Sequence, residues 1–222
     1  REAWTKSVRI VSSRFPTVAL YDRVADSADL DAVFYLEGLT NPRLREEAGE
    51  LALVPPEERV AGPGTTPIMA AFTHLNPRGT RFSDGSYGVY YAGRTHETAV
   101  RETVYHRERF LRESSVGPLT LEMRVYYANL DAEFHDIRGQ RSALANVYDP
   151  DSYVASQKLG GALREAGSWG IYYESVRHAG GQCAAVFRPR AISPTKQGPH
   201  LGYIWDGTRV THVTELRGVL DL

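Results

Sequence analysis

The sequence predicts an α+β fold, and three stretches carry that reading. Leu119 to Tyr127 (LTLEMRVYY) alternates, with Leu119, Leu121, Met123 and Val125 on one side, the pattern of a half-buried strand. From Thr95 the period changes to that of a helix and holds through TAVRETVYHRERFLRE. Near the end, HLGYIWDGTRVTHVTEL reads as a hairpin turning at Asp206-Gly207, a dipeptide favoured in type I′ turns.

Composition narrows the class. The 222 residues include 26 basic and 27 acidic side chains, a net charge of -1 that provides no footprint for nucleic acid. Arginines cluster at 101–112, and the simplest reading of them is a solvated helix face. Cys183 is the only cysteine, which excludes an intrachain disulfide and a cysteine metal site; its setting, CAAVF, is that of a buried strand. No apolar run reaches bilayer length and no charged-then-apolar leader opens the sequence, so a reducing cytoplasm is the expected compartment. The sequence starts at Arg1 rather than Met, which leaves room for a leader removed upstream.

Taken in order, SVRIV and TVALYDRV are expected to be strands flanking the turn SRFP within 7–24. Asp29 opens a helical pattern that stops at Gly38, and Asn41-Pro42 caps a second helix running to Leu51. Val54 to Pro67, with four prolines and two glycines, is a loop, and IMAAF (68–72) is apolar enough for a strand. Tyr87 to Gly93 (YGVYYAG) is a second short strand, with Tyr87, Val89 and Tyr91 on one face and Gly88 and Tyr90 on the other. After LTLEMRVYY comes an extended AEFHDIRG whose His135, Asp136 and Arg138 read as surface. A helix then follows over YVASQKLGGALREAG, where Gly160-Gly161 weakens the helix but permits close approach of a neighbour. GIYYESV (170–176) and the run after Gly180-Gly181 complete the strands. The chain reads as one domain over 1–222, with a helical addition at about 25–67 and the hairpin at about 198–217.

The chemistry concentrates in THLNPRGTRFSDGSYGVYYAGRTHETAVRETVYHRERFL (73–111). His74, Asn76, Arg78 and Arg81 hang on a Pro- and Gly-punctuated turn, and an arginine fork matches phosphate or carboxylate. In the following helix Ala99, Glu102, Thr103, His106 and Phe110 fall on one stripe, while Arg101, Glu108 and Arg112 point away. A carboxylate on an otherwise inward stripe, with a histidine at i+4, requires a partner or a task. Ser175 lies where a strand ends before a turn, a position where sites often occur.

RFSDGSYGVYYAGRTHETAVRETVYH and YYESVRHAGGQCAAVFRP, with LTLEMRVYYANL between them, resemble the RES-domain family, the toxins of Xre–RES toxin–antitoxin pairs. The resemblance covers most of the chain from Phe72 to Arg190. Gly79-Thr80-Arg81-Phe82-Ser83 departs from the commoner G-G-R-[WY]-N form while keeping the arginine. The resemblance implies an ADP-ribosyltransferase-like mixed β core with flanking helices. It implies Arg81, Glu102 and Ser175 as the catalytic arginine, glutamate and serine, and Tyr91 and His106 as substrate-binding residues; His74 is added as a third binding candidate from its turn. It implies NAD+ as substrate with no cofactor and no metal, consumed by a glycohydrolase or phosphorylase reaction at the nicotinamide–ribose bond. ADP-ribosyl transfer to a protein is the alternative, and a non-catalytic NAD- or partner-binding module is a second. An Xre-type antitoxin is the implied partner, without nucleic acid or membrane contact by the chain itself, and the apolar hairpin is compatible with a homodimer.

Overall fold

The computed structural model describes residues 2–13, 21–23, 30 and 50–217. Within them, eight strands form one mixed sheet: β1 (Trp4–Ser12), β2 (Tyr90–Gly93), β3 (Leu119–Leu130), β4 (His135–Asp136), β5 (Gly170–Glu174), β6 (Gln182–Val186), β7 (Lys196–Trp205) and β8 (Val210–Leu216). They lie in the order β4-β5-β6-β2-β1-β3-β7-β8. Neighbours are antiparallel except β4 and β5, which are parallel. Among the described residues, the helices α1 (Thr66–Thr73), α2 (His96–Glu113) and α3 (Val154–Glu165) pack on the sheet. The α+β expectation therefore holds. No helix among the described residues is long and apolar enough to cross a membrane.

Strand periodicity divides the core between the two faces of the sheet. Tyr90, Ala92, Tyr172, Ala184 and Val186 face the same way and pack with Ile68, Met69 and Phe72 of α1. Their alternates Ile171, Tyr173, Cys183 and Ala185 face the other way, under Phe82 and the partly buried Leu159 and Leu163 of α3. On that second face, Val8, Ile10, Met123, Val125 and Tyr203 pack with Ala99 of α2. Each fully buried large apolar side chain contributes about 1.5–3 kcal/mol. The second face thus carries two helices side by side.

Several expectations change on the structure. IMAAF lies inside α1 rather than in a strand: Pro67 suits the first helical turn, and Ile68, Met69 and Phe72 bury together at helical spacing. A five-residue apolar run does not by itself separate the two states. Tyr21–Arg23 is a 3-10 turn rather than part of a strand, and Asp22 there accepts hydrogen bonds from the Gly64 N–H (2.9 Å), the Thr66 N–H (3.0 Å) and the Thr66 hydroxyl (2.7 Å) at the start of α1. The rest of the strand expected at 17–24, and nearly all of the helices expected between 29 and 51, lie outside the described residues; of that stretch Leu30 is buried in the core. Arg138 is not a lone surface cation, because it pairs with Asp136 and Glu2 (2.5 Å each) and donates to Gln182 (2.9 Å). The β7–β8 hairpin is present, but its loop is four residues rather than a two-residue type I′ turn. The Asp206 carboxylate accepts from the N–H groups of Thr208 and Arg209 (2.8 and 2.9 Å), which sets the wider loop.

The Gly160-Gly161 pair behaves asymmetrically. A Cβ on Gly160 would collide with the Phe82 carbonyl, whereas a Cβ on Gly161 meets open space. Gly160 therefore sets how closely α3 approaches the turn that carries Arg81. Gly160→Ala is expected to lower stability by about 2 kcal/mol or more through overpacking. Gly161→Ala should be neutral or stabilising by up to about 1 kcal/mol from helix propensity. Urea denaturation midpoints of the two variants check the contrast.

Candidate active site

Where α2 and α3 part on the second face, a cavity of about 880 Å³ opens over β2, β5 and β6. Its walls include Glu102, His106, Arg81, Tyr91, Tyr173 and Cys183. The helix stripe read from the sequence, Ala99, Glu102, Thr103, His106 and Phe110, is the face of α2 that lines it. α2 starts hard against the sheet: Thr95 caps it by accepting from the Thr98 N–H (3.2 Å). Just before the cap, a Cβ at Gly93 would sit 2.7 Å from the Ala99 nitrogen.

Ser175, one residue beyond β5, reaches the same point from the sheet. Its hydroxyl oxygen accepts from the backbone N–H groups of Arg177 (3.1 Å) and His178 (2.9 Å). A hydroxyl has two lone pairs and one proton, so with both lone pairs taken the proton goes to Glu102 Oε1, 2.5 Å away. The Cys183 thiol lies 3.8 Å from that same oxygen. Burial pushes the Cys183 thiol well above its ordinary pKa, and the Glu102 charge reinforces the shift, so the sulfur is a weak neutral donor. Glu102 Oε2 takes no protein donor among the described residues. Ser175 is thus a positioning residue, with no lone pair left to act as base or nucleophile, and it leaves one carboxylate oxygen free toward the cavity.

Arg81 forms another wall and is buried. Its Nη1 donates to the carbonyls of Val147 (3.1 Å) and Asp149 (3.0 Å), and its guanidinium lies over the Tyr153 ring at 4.6 Å. The turn that carries it is held from two sides. The Tyr91 hydroxyl accepts from the Phe82 N–H (2.9 Å) and meets the Thr80 hydroxyl (2.9 Å), while Gln157 of α3 donates to the Thr80 carbonyl (3.0 Å). Burial raises the Tyr91 pKa above its ordinary value, keeping the hydroxyl protonated for this task. Tyr91 therefore holds the Arg81 turn in place as well as lining the cavity.

Other charges border the cavity. Arg78 and Arg109 both pair with Glu113, and Arg9 donates to the Tyr91 carbonyl (3.1 Å) in the gap where β1 and β2 meet only at Val8–Gly93. Arg107 has neither a carboxylate nor a carbonyl acceptor among the described residues; desolvation lowers its pKa, opposed by the Tyr203 hydroxyl. It still remains charged near neutral pH. The arginine cluster is consequently not all solvated face, since Arg107 and Arg109 line the cavity. Glu108 does not simply point to solvent either, because it accepts from the Val210 N–H (2.7 Å) at the start of β8. For His106, desolvation by the cavity walls lowers the pKa, Glu102 raises it, and Arg177, Arg81 and Arg107 lower it again, for a net downward shift.

The structure brings together Arg81, Tyr91, Glu102, His106 and Ser175, the first four on the cavity wall and Ser175 behind Glu102. His74 does not join them. Because 68–72 is helical, His74 becomes the exposed C-cap residue of α1, with Nδ1 3.3 Å from the Ala70 carbonyl, and it is not among the cavity residues. Sequence reading did not single out Arg9, Arg107, Tyr153 or Tyr173. Arg107 was within reach, since it is i+4 from Thr103 and i−3 from Phe110 on the stripe already drawn.

Residues 56–206 match the family model described as RES domain. The Sinorhizobium fredii (strain NBRC 101917 / NGR234) protein named "Uncharacterized protein y4oC" is 32% identical over 203 residues, covering 91% of this chain and 84% of that one. Among solved structures, the M. tuberculosis MbcT–MbcA toxin–antitoxin complex is similar with a TM-score of 0.42 and 16% identity, over 65% of this chain and 78% of that one.

Two outcomes follow from the geometry. Ser175→Ala leaves two backbone N–H groups and Glu102 Oε1 without their partner and should cost about 1–3 kcal/mol of stability, measured by urea denaturation. The His106 imidazole should titrate below the ordinary histidine value by NMR, because desolvation outweighs the pull of the Glu102 charge. Glu102→Gln removes the attraction that raises its pKa and should move the midpoint lower still.

Proposed function

The chain belongs to the RES-domain family, and we propose on that footing that its cavity takes NAD+ and cleaves the bond between nicotinamide and ribose. The observation that supports this most is the Glu102 carboxylate, fixed through Oε1 by Ser175 at 2.5 Å in the wall of a cavity of about 880 Å³. When the C1′–N bond breaks, its electron pair goes to the nicotinamide nitrogen and an oxocarbenium-like cation is left at C1′. A carboxylate beside that carbon stabilises the cation and takes the proton of the incoming acceptor as its oxygen bonds to C1′. Ser175 orients the carboxylate, Arg81 and Tyr91 shape the wall, and the Tyr91 ring offers a face for the nicotinamide. His106 lines the wall one turn further along α2.

Water or phosphate as acceptor makes the chain a glycohydrolase or a phosphorylase; a protein side chain as acceptor makes it an ADP-ribosyltransferase. Consumption of cellular NAD+ makes it a toxin, and in this proposal an antitoxin of the Xre type restrains it by covering the cavity mouth. In that case the purified pair turns over NAD+ far more slowly than the chain alone.

Glu102→Gln is expected to reduce nicotinamide release by about 10²- to 10⁴-fold. Folding should persist, because the amide oxygen still accepts from Ser175. Liquid chromatography of NAD+ incubated with the chain, with and without phosphate, measures both the loss and the acceptor. Full activity of the Gln variant removes the scheme.

A further inference from the structure

Cavity-lining positions run along α2 from Ala99 to Glu113, a length of about 21 Å at 1.5 Å per residue. They differ in chemistry along that line. Glu102 comes first, Arg107 lies about 7.5 Å further along the axis, and Phe110 about 12 Å from Glu102. We propose that α2 fixes the direction of a bound dinucleotide, with the nicotinamide riboside at Glu102, the diphosphate at Arg107 and the adenine against Phe110. This rests on the reading that the cavity takes NAD+, and it assigns the remaining two thirds of that substrate.

Elimination among the cavity arginines favours Arg107 for the diphosphate. Arg78 and Arg109 share the single carboxylate of Glu113. Arg81 has committed Nη1 to the carbonyls of Val147 and Asp149, and Arg9 gives Nη1 to the Tyr91 carbonyl. Arg107 alone of the five lacks both kinds of acceptor among the described residues. Arg107 is only partly buried and lines the cavity, and a phosphate oxyanion meets such an open guanidinium fork with paired hydrogen bonds. Phe110 is 53% exposed yet lines the cavity, so it has a ring free to cover a base. Base–aromatic stacking is the interaction such a ring provides irrespective of sequence context. The order of groups along the helix matches the order in the dinucleotide, and the reverse orientation would place the scissile bond away from Glu102.

Calorimetric titration of the full chain with ADP, which carries adenine and diphosphate but no nicotinamide riboside, tests the assignment. Arg107→Gln and Phe110→Ala should each weaken ADP binding by about 10-fold or more. Phe110→Trp should retain it. Arg101→Gln, an exposed cation paired with Glu97 outside the cavity, should leave it unchanged. With NAD+ as substrate, the same two variants should raise KM with little change in kcat, since neither residue touches the breaking bond. Unchanged ADP affinity in both variants overturns the proposal even where NAD+ is consumed. Weakened ADP binding in a chain that leaves NAD+ intact supports these two subsites and removes the activity instead.

Discussion

The hydrogen bond from Ser175 to Glu102 is the constraint on which the site depends. It joins a turn after β5 to the middle of α2, residues 73 apart in sequence, at 2.5 Å. Its direction is forced by two backbone N–H donors behind the serine oxygen, so the proton cannot turn away from the carboxylate. A glutamate on a helix has three rotatable side-chain bonds, and ordering it costs conformational entropy. Meeting that cost during folding leaves the carboxylate aligned before any ligand arrives, the preorganisation that electrostatic catalysis requires.

A second constraint builds the opposite wall. Arg81 sits on a tight turn that would wander without support, and its fixings come from elements formed for other reasons. Tyr91 belongs to β2 and Gln157 to α3, and α3 can lie close enough to reach only because position 160 is glycine. The guanidinium in turn ties down the 147–149 backbone, so the wall and the adjoining loop are ordered together. Strand alternation places Tyr91, Tyr173 and Cys183 on the face shared by α2 and α3, and hence around one space.

Much of this was legible in the sequence, for physical reasons that differ by element. The long strand at Leu119 and the helix from Thr95 carry strong periodicity, and the Thr95 cap is a local signal that the structure retains. The stripe through Ala99, Glu102, Thr103, His106 and Phe110 could be drawn because a helix repeats every 3.6 residues. IMAAF reads as strand because a short apolar run buries equally well in either state; it is helical, and His74 is its C-cap. The partners of Arg138 and Glu108 are long-range, at Glu2 and Val210, and no local pattern announces them. Arg107 adjoins the helix stripe, at i+4 from Thr103, yet it belongs to an arginine cluster of the kind that ordinarily faces water, and the cavity is what sets it apart from Arg101 and Arg112.

One acidic side chain, Glu102, faces a cavity whose lining runs about 21 Å along α2, and the rest of the fold holds it there. The structure of the Glu102→Gln variant crystallised with NAD+ tests this most directly. The account predicts the ribose C1′ in contact with residue 102 and the adenine at the Phe110 end of α2. A dinucleotide bound elsewhere on the molecule, with the cavity beside residue 102 empty, would contradict it.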